Sequence, residues 1–232
     1  MVQARKQNHK KPRKTEFMEP ILYKYYIFCE GECTEPLYFT GFQEAIMTDP
    51  IYKNMVQIKV EGVGAETLRV IYAAENYVKE HQLSMGDIWC VYDKDSFPSQ
   101  NFNAVSERVE NLNKDKTNNV TYHVAWSNQC IEYWFILHFD FYDSDNDRKY
   151  YREYLHKKFK ELGWTQYKKN NKELFNILTE HGDPKLAIKR ANQRLESCNG
   201  MTDTNSVPAT KVNFLVSELA KYLPEKIRAR YI

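Results

Sequence analysis

Read for its alternation of apolar and polar positions, the chain changes period repeatedly between residues 21 and 140. ILYKYYIFC (21–29) predicts a strand, and TEPLYFTGFQEAIM (34–47) a helix with Thr34 as N-cap and Pro36 in its first turn. VQIKVEG predicts a second strand. AETLRVIYAAENYVKEH follows as an amphipathic helix with Leu68, Ile71, Tyr72 and Val78 on one face. DIWCVYD is a third strand, trailed by a polar loop and a helix near 101–113. VTYHVAWS is a fourth, and QCIEYWFILHF continues as a helix or buried segment. Within it Tyr133, Trp134 and Phe135 run consecutively and read as core rather than as a base-stacking platform; His138 reads as a packed or hydrogen-bonded histidine rather than a ligand. This order predicts an α/β fold, a mostly parallel sheet flanked by helices on both faces. Beyond about residue 140 no strand is evident. Segments near 147–162, 170–180, 184–197 and 208–222 carry helical patterns rich in Lys and Arg. The expected organisation is a basic disordered tail (1–20), an α/β domain (21–140) and a helical C-terminal lobe (141–232).

Composition narrows the class of protein. The 232 residues are 42% hydrophobic and 28% charged, and no apolar run approaches the length of a membrane span, ~18–20 residues. The start, MVQARKQNHKKPRK, is basic but lacks the apolar region of a secretory signal. A net charge of only +2 means that affinity for nucleic acid must come from local basic patches. Five cysteines (Cys29, Cys33, Cys90, Cys130, Cys198) form no C-x-x-C pair, and four lie in apolar or strand-like surroundings. Free thiols in a reducing cytoplasm are the expectation.

The acids are placed less evenly. In an open α/β sheet, ligands gather outside the carboxyl ends of the strands. Glu30, Glu32 and Glu35 crowd into CEGECTE at the end of the first strand; the third ends in VYDKDSF, with Asp93 and Asp95; and Glu132 in SNQCIEYWF follows the fourth. If the first and third strands are neighbours, Glu30, Asp93 and Asp95 converge. Mutual repulsion would then call for a counter-ion, and hard Mg²⁺ or Mn²⁺ suits oxygen donors. A DxD alone is more often a solvated loop; paired with a strand-terminal Glu-Gly it favours a metal site. Asn128, in the SNQC turn, either shapes the backbone or orients Glu132.

YIFCEGECTEPLYF, VYDKDSF, SNQCIEYWFILHF and VPATKVNFLVSEL, in that order over about residues 22–222, resemble the RloB-like (also AbiLii-like) family. The resemblance implies a Toprim-type domain associated with bacterial phage defence. Toprim domains also occur in topoisomerases, primases and OLD-type nucleases, where a Glu and a DxD bind Mg²⁺ for phosphodiester chemistry. Carried over, the Glu falls on Glu30 and the DxD on Asp93 and Asp95. Glu35 stands one residue from the second acid of an OLD-like EGxxE pattern, and Glu132 resembles the later acid that completes a second metal position. A Tyr-x-Lys pattern is met by Tyr167 and Lys169 in YKKNNKELF, with Lys168 left open as the phosphate-facing lysine; taken alone, YKKNNK reads as a solvated charge run. Cys33 replaces a basic residue that such sequences commonly carry in EGEKTEP.

The resemblance thus implies a Mg²⁺- or Mn²⁺-dependent nuclease with Glu30, Asp93, Asp95 and Lys169 as catalytic residues, and Glu30, Glu35, Asp93, Asp95 and Glu132 as metal ligands. It also implies a DNA or RNA substrate (tRNA included), an effector role in abortive infection and an AAA/ABC-type ATPase partner. No Walker A GxxxxGK[ST] occurs here, so ATP hydrolysis would belong to that partner. The competing reading is a non-catalytic Toprim-fold subunit that binds nucleic acid or acts as a scaffold. A topoisomerase or primase is disfavoured, because neither a large cleavage domain nor a zinc ribbon accompanies the acids.

Overall fold

Tyr25, Ile27 and Cys29 project to one side of strand β1 (Tyr23–Cys29), Tyr26 and Phe28 to the other, and all five are buried. A strand buried on both faces must lie inside a covered sheet, and the computed structural model, which describes residues 21–64, 66–94 and 98–232, places it there. β1 pairs in parallel with β2 (Val56–Gly62) on one side and with β3 (Met85–Asp93) on the other. β3 pairs in parallel with β4 (Asn119–Asn128). The strand order is β2-β1-β3-β4-β5, the last being the two-residue β5 (Ala209–Thr210), antiparallel to β4. β5 corrects the expectation of a purely helical chain beyond residue 140. It is too short to show an alternation, and it is held by side chains. The hydroxyls of Ser127 and Thr210 lie 2.9 Å apart, and Thr210 also donates to the Trp126 carbonyl.

Helices cover both faces. α2 (Thr67–Glu80) and α3 (Ser99–Leu112) close one core over Phe28, Cys90, Tyr92 and Trp126. The other face carries α1 (Thr34–Met47), α4 (Glu132–Leu137), α5 (Arg148–Glu161), α6 (Leu174–His181), α7 (Pro184–Ser197) and α8 (Val212–Ala220) around one continuous core. The short α9 (Glu225–Arg228) adds the partly buried Ile227 to it. Tyr133, Trp134 and Phe135 are fully buried in that core, as read from the sequence. Gly41 lets α1 approach α6 so closely that a Cβ there would overlap Phe175.

Two local expectations are corrected. α1 begins at Thr34, so Cys33 occupies the N-cap position and makes no side-chain cap bond. On α2 the buried stripe is Thr67, Val70, Ile71 and Ala74, with Leu68 and Val78 partly buried beside it; Tyr72, about 100° around the helix from Ile71, is 50% exposed. Cys29, Cys90, Cys130 and Cys198 are buried, Cys33 is exposed, and all five are free thiols. Among the described residues no helix is long and apolar enough to cross a membrane. The expected tail, residues 1–20, lies outside the described residues.

His138 is 2% exposed; its Nδ1–H donates to the Trp134 carbonyl and its ring meets the Trp134 indole edge-on. This is the packed histidine expected. Burial, outweighing the Trp134 bond and nearby Asp183, pushes its pKa down from 6.5 to about 4. A depressed histidine pKa means that the unfolded chain binds the proton more readily. The stability owed to the neutral ring is therefore complete above pH 6.5 and is lost as pH falls toward 4, by on the order of 3 kcal/mol. Urea midpoints measured from pH 7.5 to 4 should fall more steeply for the native chain than for His138→Asn. Equal slopes would contradict this.

Candidate active site

The order β2-β1-β3-β4 reverses direction between β1 and β3. The chain leaves β1 for α1 on one face and leaves β3 for α3 on the other. The two loops diverge, and a crevice opens at their carboxyl ends, the switch point where open α/β sheets bind ligands. Glu30 and Asp93 stand on its two sides. The Glu30 N–H donates to the Val91 carbonyl (2.9 Å), and its own carbonyl accepts from Gly64 N–H (3.1 Å). Its side chain turns to β3, where Oε2 accepts from the Asp93 N–H at 2.9 Å. The predicted convergence of Glu30 with Asp93 is therefore present. Asp95 lies outside the described residues.

These residues line a cleft of about 700 Å³. Five carboxylates, those of Glu30, Glu32, Glu35, Glu66 and Asp93, share its wall with two cations, Arg69 and Lys169. Glu35, in the first turn of α1, is 7% exposed. Its carboxylate occupies the space where a side chain on Gly31 would begin, so a larger residue there would have to push the Glu35 carboxylate aside. Gly64 has φ +61° and packs against the Glu32 carboxylate. This left-handed conformation favours glycine. Cys29 lies close to the same acids. Its thiol is pushed up first by burial, then by the charges of Glu35 and Asp93.

Glu132 is placed differently. It is 1% exposed and is not part of the cleft wall. Its Oε1 accepts from Arg152 Nε at 3.0 Å and from the Tyr167 hydroxyl at 3.3 Å. Its charge and those of the cleft acids nonetheless act on shared neighbours: Tyr167 feels both Glu132 and Glu35, and Cys130 both Glu132 and Asp93. Burial leads in raising the pKa of both groups. Tyr167 is buried while Lys169, two residues on, lines the cleft, and Lys168 is exposed outside that wall. Asn128 takes the backbone role: its Nδ2 donates to the carbonyls of Thr204 (2.8 Å) and Asp203 (3.3 Å).

The sequence reading did not single out Glu66 or Arg69. Their signal was the second Gly-containing strand end, VEGVG, which pairing with β1 brings to the same edge.

Carboxylates crowded beside one another favour a hard cation, and oxygen donors are what Mg²⁺ and Mn²⁺ accept. Among the described residues no three acid, imidazole or thiol groups are arranged so that they could hold a metal ion. Glu30, Glu35 and Asp93 nonetheless line one cleft, and Asp95 of the same DxD is adjacent to it in sequence.

Fold and cleft together define a class: an α/β protein with an acid-lined crevice at the switch point of a mostly parallel sheet. The family model described as RloB-like protein matches residues 25–219, and the chain belongs to the RloB-like family. Comparison with curated proteins and with solved structures returns no match.

Proposed function

We propose that this protein is a Toprim-type, Mg²⁺- or Mn²⁺-dependent nuclease hydrolysing phosphodiester bonds in nucleic acid, the effector of a phage-defence system partnered by an ATPase. The observation that carries the reading is the meeting of Glu30 and Asp93 at the ends of adjacent parallel strands, in one cleft with Lys169. Glu30, Asp93 and Glu35, with Asp95, would hold the ion. When bound, such an ion polarises a phosphoryl oxygen and lowers the pKa of an attacking water.

The chain's own groups do the remainder. The Asp93 N–H fixes the Glu30 carboxylate on the β3 side, so the donor is pre-oriented. Lys169 offers a point charge to the phosphate, where its field counts for more as water is displaced. Glu132 acts indirectly. Held by Arg152, it fixes Tyr167, and with it the chain that delivers Lys169.

The purified protein should cleave at least one of plasmid, single-stranded DNA or total tRNA with Mg²⁺ or Mn²⁺, and none with EDTA. Absence of cleavage on every substrate, with the ATPase also present, would favour the scaffold reading.

A further inference from the structure

Arg69 is the one described arginine whose side chain makes no hydrogen bond or ion pair within the described residues. Arg108 is held by Glu75, Arg152 by Glu132, and Arg190, Arg194, Arg228 and Arg230 by backbone carbonyls; Arg148 also has a partner. Yet Arg69 lines a cleft with five carboxylates. Its exposed guanidinium is therefore available to an anion brought into the cleft. It rises from the first turn of α2, whose N-cap Glu66 supplies no side-chain cap bond, and its own N–H donates to the Glu66 carbonyl at 2.7 Å.

We propose that Arg69 anchors a backbone phosphate next to the scissile one, a positioning residue that fixes the strand's register in the cleft. The inference rests on the nucleic-acid substrate proposed above. Arg69 arrives on α2, which packs against one face of the sheet, whereas Lys169 follows Tyr167, packed in the core of the opposite face. The two cations therefore approach Glu30 and Asp93 from opposite sides. Successive phosphates of a single strand, drawn across the acids, meet one cation each. The guanidinium fork suits two phosphate oxygens at once, whereas lysine provides a point charge. This division assigns the flanking phosphate to Arg69 and the scissile phosphate to Lys169.

The test measures binding and cleavage separately. A fluorescently labelled single strand and its duplex are titrated with the full chain in Ca²⁺, over a range of salt, and cleavage is followed in Mg²⁺. Arg69→Ala and Arg69→Gln should bind roughly tenfold more weakly, raise KM with little change in kcat, and lower the salt slope by about one. Arg69→Lys should restore the slope and only part of the affinity. Equal thermal midpoints would show that each variant is folded. A native chain that cleaves while Arg69→Gln keeps its affinity, KM and salt slope overturns the inference alone. A native chain that neither binds nor cleaves any nucleic acid overturns the proposed function and takes this inference with it.

Discussion

Asp93→Asn is expected to lower Mg²⁺-dependent cleavage by at least about 10²-fold while leaving the fold intact. Loss of an outer partner of a metal ligand already costs about 10–100-fold in affinity or activity, and loss of a ligand should cost no less. Asparagine has nearly the shape of aspartate, and the bond that ties β3 to Glu30 uses the Asp93 backbone N–H, which the substitution keeps. Stability should therefore change by no more than about 1 kcal/mol, the centre of the range for single substitutions. Glu30→Gln retains a carbonyl oxygen to accept the same N–H, whereas Glu30→Ala would leave that donor unsatisfied, at a cost of about 1–3 kcal/mol. Glutamine is thus the informative variant at position 30. Manganese binding followed by calorimetry gives a readout independent of turnover, and both variants should weaken it at least about tenfold. If both bind manganese and cut like the native chain, the site lies elsewhere.

The extent to which the sequence foretold this site depends on what each residue needed. β1 to β4 were legible because long apolar runs ending at acids, glycines or turns mark buried strands, and their ends fall within a few residues of expectation. Glu30 and Asp93 were legible for the same reason: each sits at the end of such a run, so one adjacency, β1 beside β3, brings them together. Arg69 and Glu66 required a second adjacency, β2 beside β1, which no local pattern states. The face of α2 was misjudged at Tyr72 because an aromatic ring scores as apolar wherever it lies on the helix. The late motif VPATKVNFLVSEL could be seen but not interpreted. Its Thr210 works through hydroxyl bonds to Ser127 and Trp126, and its Lys211 pairs with Asp203 at 3.0 Å, contacts that exist only in the folded chain. Glu132 was noticed as an acid, but its partner Arg152 lies on a different helix.

Arg152→Ala should destabilise the fold by about 3–5 kcal/mol, the cost of leaving a buried charge without its ionic partner. Glu132 is 1% exposed at its side chain and Arg152 31%, so the pair straddles the boundary between core and solvent. Removing arginine strands a carboxylate in the core with the Tyr167 hydroxyl, at 3.3 Å, and the weakly donating Cys130 thiol to answer it. Removing the charge at the other end is less severe. Glu132→Gln keeps an acceptor for Tyr167 and leaves a guanidinium that can turn to water. The two changes should therefore be strongly non-additive, with Arg152→Ala/Glu132→Gln more stable than Arg152→Ala alone. Urea unfolding of the four proteins measures the coupling directly. Because Tyr167 leads to Lys169 in the cleft, the milder Glu132→Gln should lower kcat while sparing manganese affinity. A loss of manganese affinity as large as that in Asp93→Asn would instead make Glu132 a ligand, and additive unfolding energies would mean that the Arg152 contact contributes nothing.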